Sequence, residues 1–132
     1  MIQSILIPEL VYYIMKNDSV LNDYIKGRIY PLVSESSTEF PYVAYSRTHI
    51  SPIYTKNFHS EDSVVVEILS VSNDYLESLH IANRVRELFE CQKLPGYNDL
   101  EVTQVYVSSI SESYDYEADA FIQRITFDFR VQ

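Results

Sequence analysis

Nineteen carboxylates, three histidines and a single cysteine are the side chains of this 132-residue chain that could act on a substrate or hold a metal. The histidines are His49, His59 and His80. No two of them share the one- or three-residue spacing that lets a strand or helix present a zinc ligand pair. Glu112, Asp115, Glu117 and Asp119, with Tyr114 and Tyr116 between them, have spacing that could attract calcium. A calcium loop of the EF-hand type needs a central glycine and a bidentate Glu at its end, and neither is there. The segment reads as a solvated acidic loop. Glu67 sits inside the most apolar stretch of the chain. It is either paired on a wet face or buried, and only a buried carboxylate would have the raised pKa of a catalytic base. Cys91 follows a predicted helix with no His or Lys immediately beside it, so it reads as a small apolar filler rather than a nucleophile. Gly27 and Gly96 are too few and too far apart for a phosphate-cradling loop, and there is no Gly-x-Ser-x-Gly elbow. No set of acid, base and nucleophile emerges. The sequence implies no cofactor and no metal, and the chain reads as a protein without enzymatic activity.

The elements that carry these residues follow from periodicity. Leu10, Val11, Ile14 and Met15 recur at helical spacing after Pro8, which costs nothing in a first turn. Asp18 is a ready N-cap for a second short helix with Val20, Leu21, Tyr24 and Ile25 on its inner side. Gly27 suits a left-handed helix end. Arg28 to Tyr30 is a short extended piece ending at Pro31, and Ser34 to Glu39 is a polar loop. Pro41 forces extended backbone before it, and a strand runs on from Tyr42 to His49. Ser51 to Ser60 is a variable loop or a short strand pair. Ser63 to Val71 has the near-continuous apolar run of a central strand. Ser72-Asn73-Asp74 caps a helix whose stripe is Tyr75, Leu76, Leu79, Ala82, Val85, Leu88 and Phe89.

Two strands close the chain. Leu100 to Ser109 alternates imperfectly. Phe121 to Val131 alternates cleanly, with Phe121, Ile125, Phe127, Phe129 and Val131 on the core side and Gln123 as the exception. The residues between them, Ser111 to Asp119, look too acidic and too long for a tight hairpin turn. The expected fold is α+β: an antiparallel sheet of about four strands with helices packed on one face, in the order ααββαββ. One domain spans residues 1–132.

Composition sets further limits. The formal charge is −9, and the ten Lys and Arg residues are scattered. No basic stripe forms, so sequence-specific nucleic-acid binding is not expected. No apolar run reaches the length of a membrane span. A lone cysteine fits a reducing cytosol. Twelve tyrosines supply rings with polar tips, suited to partly exposed strands and subunit contacts.

One resemblance covers nearly the whole chain. Asn17-Asp18 through Pro31 (NDSVLNDYIKGRIYP), followed by Pro41-Tyr42-Val43-Ala44-Tyr45, resembles the opening of the small tail-completion, or head–tail joining, proteins of tailed bacteriophages and prophages. The chain departs from the pattern between Ser51 and Asp62 and in the acidic segment before Phe121. The resemblance implies a non-enzymatic structural protein of virion assembly. Its partners would be further copies of itself in a ring, commonly a hexamer, and the tail-tube and head-connector proteins. Its place would be the virion tail, and the host cytoplasm during assembly. Glu112, Tyr114, Asp115, Tyr116, Glu117 and Asp119 then become a candidate bore or interface loop, with the acids repelling DNA as it passes. Two rivals stay open: a cytosolic protein-binding module acting through a sheet edge, and a small enzyme with a pocket between helix 74–90 and the sheet that holds Glu67 and His80.

Overall fold

In a computed structural model, which describes residues 4–32, 39–55, 59–97 and 99–132, the chain builds a five-stranded sheet with three helices on one face. A short 3-10 turn, Ser4–Leu6, leads into α1 (Ile7–Lys16) and α2 (Ser19–Ile25). The strands are β1 (Ile29–Pro31), β2 (Tyr42–Tyr54), β3 (His59–Ser72), β4 (Val102–Asp115) and β5 (Ala120–Val131), with α3 (Tyr75–Phe89) between β3 and β4. Their order across the sheet is β1-β2-β3-β5-β4. Every neighbouring pair is antiparallel except β1 with β2, which is parallel.

The expected sheet is therefore corrected in number and kind. It has five strands and is mixed, because the short extended piece at Ile29–Pro31 pairs with residues 43–45 as an edge strand. The segment from Ser51 onward resolves as a strand pair: β2 continues to Tyr54 and β3 starts at His59. Residues 34–38 of the expected polar loop lie outside the described residues.

Helices α2 and α3 start where an Asp side chain satisfies their free amides. Asp18 Oδ2 accepts from the Leu21 N–H at 2.8 Å, and Asp74 Oδ1 accepts from the Leu76 and Glu77 amides at 3.0 and 3.4 Å. Lys26 and Gly27 both take left-handed backbone (φ 51° and 77°) to leave α2. Asn22 ties the α1–α2 corner. Its Nδ2 donates to the carbonyls of Met15 and Asp18, and its Oδ1 accepts from the Gly27 amide.

The core is the space between helices and sheet. Phe89 of α3 meets Phe127 and Phe129 of β5 at centroid separations of 5.5 and 5.9 Å, and all three rings are fully buried. Ile7, Leu10, Met15, Leu21 and Ile25 fill the space under α1 and α2. The α3 stripe is rotated from the expected one. Ser78, Ile81, Ala82, Val85 and Phe89 are buried, while Tyr75, Leu76 and Leu79 are exposed. Buried Ser78 is accommodated by hydrogen bonding. Its carbonyl accepts from Ser70 Oγ at 3.0 Å, its Oγ donates to the Tyr75 carbonyl at 2.6 Å, and Gln123 Nε2 donates to that Oγ at 3.3 Å. The same network explains the polar Gln123 on the core face of β5. Among the described residues no helix is long and apolar enough to cross a membrane.

Candidate functional site

The acidic segment before Phe121 is a tight hairpin rather than a long loop. β4 runs through it to Asp115, residues 116–119 make the turn, and β5 restarts at Ala120 opposite Asp115. The turn closes because Asp115 Oδ1 accepts from the amides of Glu117 and Ala118 at 3.0 and 3.3 Å. Asp119 supplies the left-handed residue (φ 51°) that re-enters the ladder, a conformation Asp tolerates better than most side chains. The carboxylates that looked like a solvated cluster thus have local work. Asp119 Oδ1 accepts from the Tyr114 hydroxyl at 2.8 Å, and this bond holds the phenol's pKa above its ordinary value. Glu112 accepts from the Tyr75 hydroxyl at 3.2 Å and from Gln123 Nε2 at 3.0 Å, and the Tyr75 phenol is likewise pushed up.

Of the six candidate residues, Tyr114, Tyr116 and Asp119 are joined side chain to side chain, Asp115 accepts from the Glu117 amide, and Glu112 reaches the group through Tyr75 and Phe121. Tyr114 stacks edge-on against Tyr116 and against Phe121, each at 4.9 Å, and Phe121 meets Tyr75 at 5.2 Å. Tyr116 caps this aromatic run at the tip and is 86% exposed. Glu117 is exposed on the turn.

The pocket expected between α3 and the sheet is filled by Phe89, Phe127 and Phe129. Glu67 and His80 do not meet. Glu67 lies on the sheet face away from the helices, paired with Arg124 at 3.2 Å, whereas His80 is exposed on α3. That outer face carries further charge pairs: Arg130 with Asp128 at 3.2 Å and with Glu61 at 3.7 Å. Cys91 is exposed, with left-handed backbone (φ 56°), and is no core filler. His49 is exposed on β2, and among the described residues no three His, Cys, Asp or Glu groups gather as a metal site would require.

Concave surface lies instead along the sheet's edges. A groove of about 450 Å³ runs beside the start of β4, lined by Cys91, Lys93, Thr103 and Tyr106. An aromatic cleft of about 410 Å³ lies between α1 and the sheet, lined by Tyr12, Tyr13, Tyr45 and Tyr97. A smaller one of about 250 Å³ lies at the end of β1, lined by Pro8, Pro31, Leu32, Tyr45, Ser46 and Arg47. Residue spacing gave no sign of these clefts, because each joins segments distant in the chain.

The two stretches that carried the resemblance turn out to be one structural unit. Arg28 Nε donates to the Pro41 carbonyl at 2.8 Å and its Nη2 to the Phe40 carbonyl at 3.2 Å, while the Val43 amide donates to the Arg28 carbonyl at 3.0 Å.

No family model matches the sequence, and neither does any curated protein. The fold does have a counterpart. The chain is similar to one in a solved structure described as the virion of a native gene transfer agent (GTA) particle, with a TM-score of 0.75 and 16% identity over 92% of this chain and 90% of that one. At that identity the likeness establishes a common fold.

Proposed function

We propose that this chain is a structural protein of a phage, prophage or phage-like particle, and that it forms a ring at the head–tail junction or tail-tube end. The observation that carries the reading is the end-to-end match of its fold to a chain of a gene transfer agent virion. The linked Arg28–Pro41 unit, which joins both motifs of the tail-completion resemblance, supports it. Glu67 and His80, the pair the rival enzyme pocket would have used, are separated by the sheet. In this reading the hairpin of Glu112 to Asp119 is an interface element. Three of its four acids already hold the hairpin's own groups, so they serve its shape more than a charged bore. The tail tube and the head connector are the neighbours above and below the ring.

The test is genetic and microscopic. Deleting the coding sequence from the phage or prophage that carries it should leave filled heads and finished tails unjoined in electron micrographs, with infective particles restored by the chain supplied in trans. Normal joined particles from the deletion would overturn the proposal. A monomer that captures one cytosolic protein would favour the sheet-edge binding module instead.

A further inference from the structure

Resting on the ring reading, we propose that successive copies join by sheet extension: β4 of one copy takes the free edge of β2 from the next, and Tyr116 at the hairpin tip seats in the apolar pocket at the end of the neighbour's β1.

Both edges are open among the described residues. β1 covers β2 only at residues 43–45, and the Leu32 amide bonds the Tyr45 carbonyl. No described strand pairs with the far side of Ser46–Pro52. On β4 the Val105 carbonyl accepts from the Cys91 amide, and beyond it no described strand pairs with the far side of Tyr106–Asp115. Edges are blunted by lysine, proline, charge or bulges; β4 has no lysine or proline but carries two bulges, and the open stretch of β2 ends at Pro52. Strand direction also fits. β2, β3, β5 and β4 alternate up and down, so a rotation about an axis along the strands sets the next β2 antiparallel to β4.

Charge selects the partner edge. Arg47, whose Nη1 also donates to the Ile5 carbonyl at 3.1 Å, is the only Lys, Arg, Asp or Glu in β2, while the charges of β4 are Glu112 and Asp115, followed by Glu117 and Asp119 in the turn. The ladders give the register. Arg47, Val66, Phe127 and Val107 form one rung, and Glu112 lies on the rung of Gln123. A slip of four rungs, from Phe127 to Gln123, brings the open halves together and sets Arg47 opposite the neighbour's Glu112 on the helix side. A closed sheet of tilted strands requires shear of this kind. The slip also sets Ser51 opposite Ser109 on the outer side, both exposed. Beyond Ser46 the place beside β2 is taken by β1, so the hairpin tip must ride over the end of β1. That is where the pocket of Pro8, Pro31 and Leu32 opens, and Leu32 is 69% exposed.

The experiment uses the full chain with Cys91→Ser, at millimolar concentration. The double variant Ser51→Cys, Ser109→Cys should oxidise to a ladder of covalent multimers, while each single variant, and the unslipped pair Ser51→Cys, Gln104→Cys, should not. Tyr116→Ala should weaken assembly by about tenfold or more in light scattering without moving the melting temperature, since its side chain is exposed at the hairpin tip. Leu76→Ser, on exposed α3 surface, should leave assembly unchanged. Rings that form and cross-link only through residues off these two strands would overturn the edge pairing and leave the ring standing. A chain that stays monomeric, and is missing from the head–tail junction of particles, would sink both.

Discussion

At the scale of single residues, two ion-carrying side chains fix the molecule's corners. Asp18 caps α2 and also accepts from Nε and Nη2 of Arg84, at 2.9 and 2.6 Å, so one carboxylate starts a helix and clamps it to α3. The bond from Arg84 holds the Asp18 carboxyl below its ordinary value near 3.8, while the guanidinium is raised. The linkage follows from that direction. The stabilisation is fully present above the unfolded carboxyl's pKa and is lost as pH falls through the lower folded one. Asp18→Ala should cost about 2 kcal/mol at neutral pH by loss of the cap and the clamp together. In melts taken down an acid series, the gap between Asp18→Ala and the parent should close below the ordinary carboxylate range. A gap independent of pH would contradict the assignment. The cap was legible in the sequence, since Asp before an apolar run is a local signal. The clamp was not, because Arg84 lies 66 residues away. Arg28 is the second corner. Arg28→Lys should lose about 1.5–3 kcal/mol in denaturant unfolding, because an ammonium cannot span the Phe40 and Pro41 carbonyls as the planar fork does.

At the scale of elements, the hairpin departs most from what residue types suggested. Acidic residues between two strands looked like open loop, yet Asp115, Asp119 and Glu112 are spent on turn amides, a phenol and an amide. Turn chemistry of this kind depends on which carboxylate meets which N–H, and composition alone does not specify it. Asp115→Ala should cost about 1 kcal/mol and speed amide exchange at residues 116–118, with exchange at residues 125–129 unchanged. Uniform acceleration along β5 would mean that the turn and core open together. The imperfect alternation of β4 has a cause of the same sort. Its ladder shifts register between Val102 and Gln104 and again between Val107 and Ser109, and each bulge flips the inward parity. β5, with unbroken register, was readable but for its first residue, Ala120. The rotated stripe of α3 shows the limit of apolar periodicity. Ser78 displaces leucines from the buried face because Ser70 and Gln123 provide its hydrogen bonds, and those partners lie on other elements.

At the scale of the whole molecule, the helices lie on one face of the sheet and ion pairs such as Glu67–Arg124 line the other. The core itself is self-sufficient. Phe127→Ala should cost about 3–5 kcal/mol, a large part of a typical domain's stability, measured as a lowered denaturant midpoint. The mixed sheet was hidden in the sequence because β1 is three residues long and pairs in parallel with a later strand, Ile29 opposite Val43, Tyr30 opposite Ala44 and Pro31 opposite Tyr45. The measurement that reaches the central claim most directly is a cryo-electron-microscopy reconstruction of the particle that carries this chain. The expected density is a closed ring of copies at the head-proximal end of the tail, with β4 of each against β2 of the next and the Tyr116 hairpin lodged over the neighbour's Leu32. A junction fully built from other proteins, with no density for this fold, would contradict it.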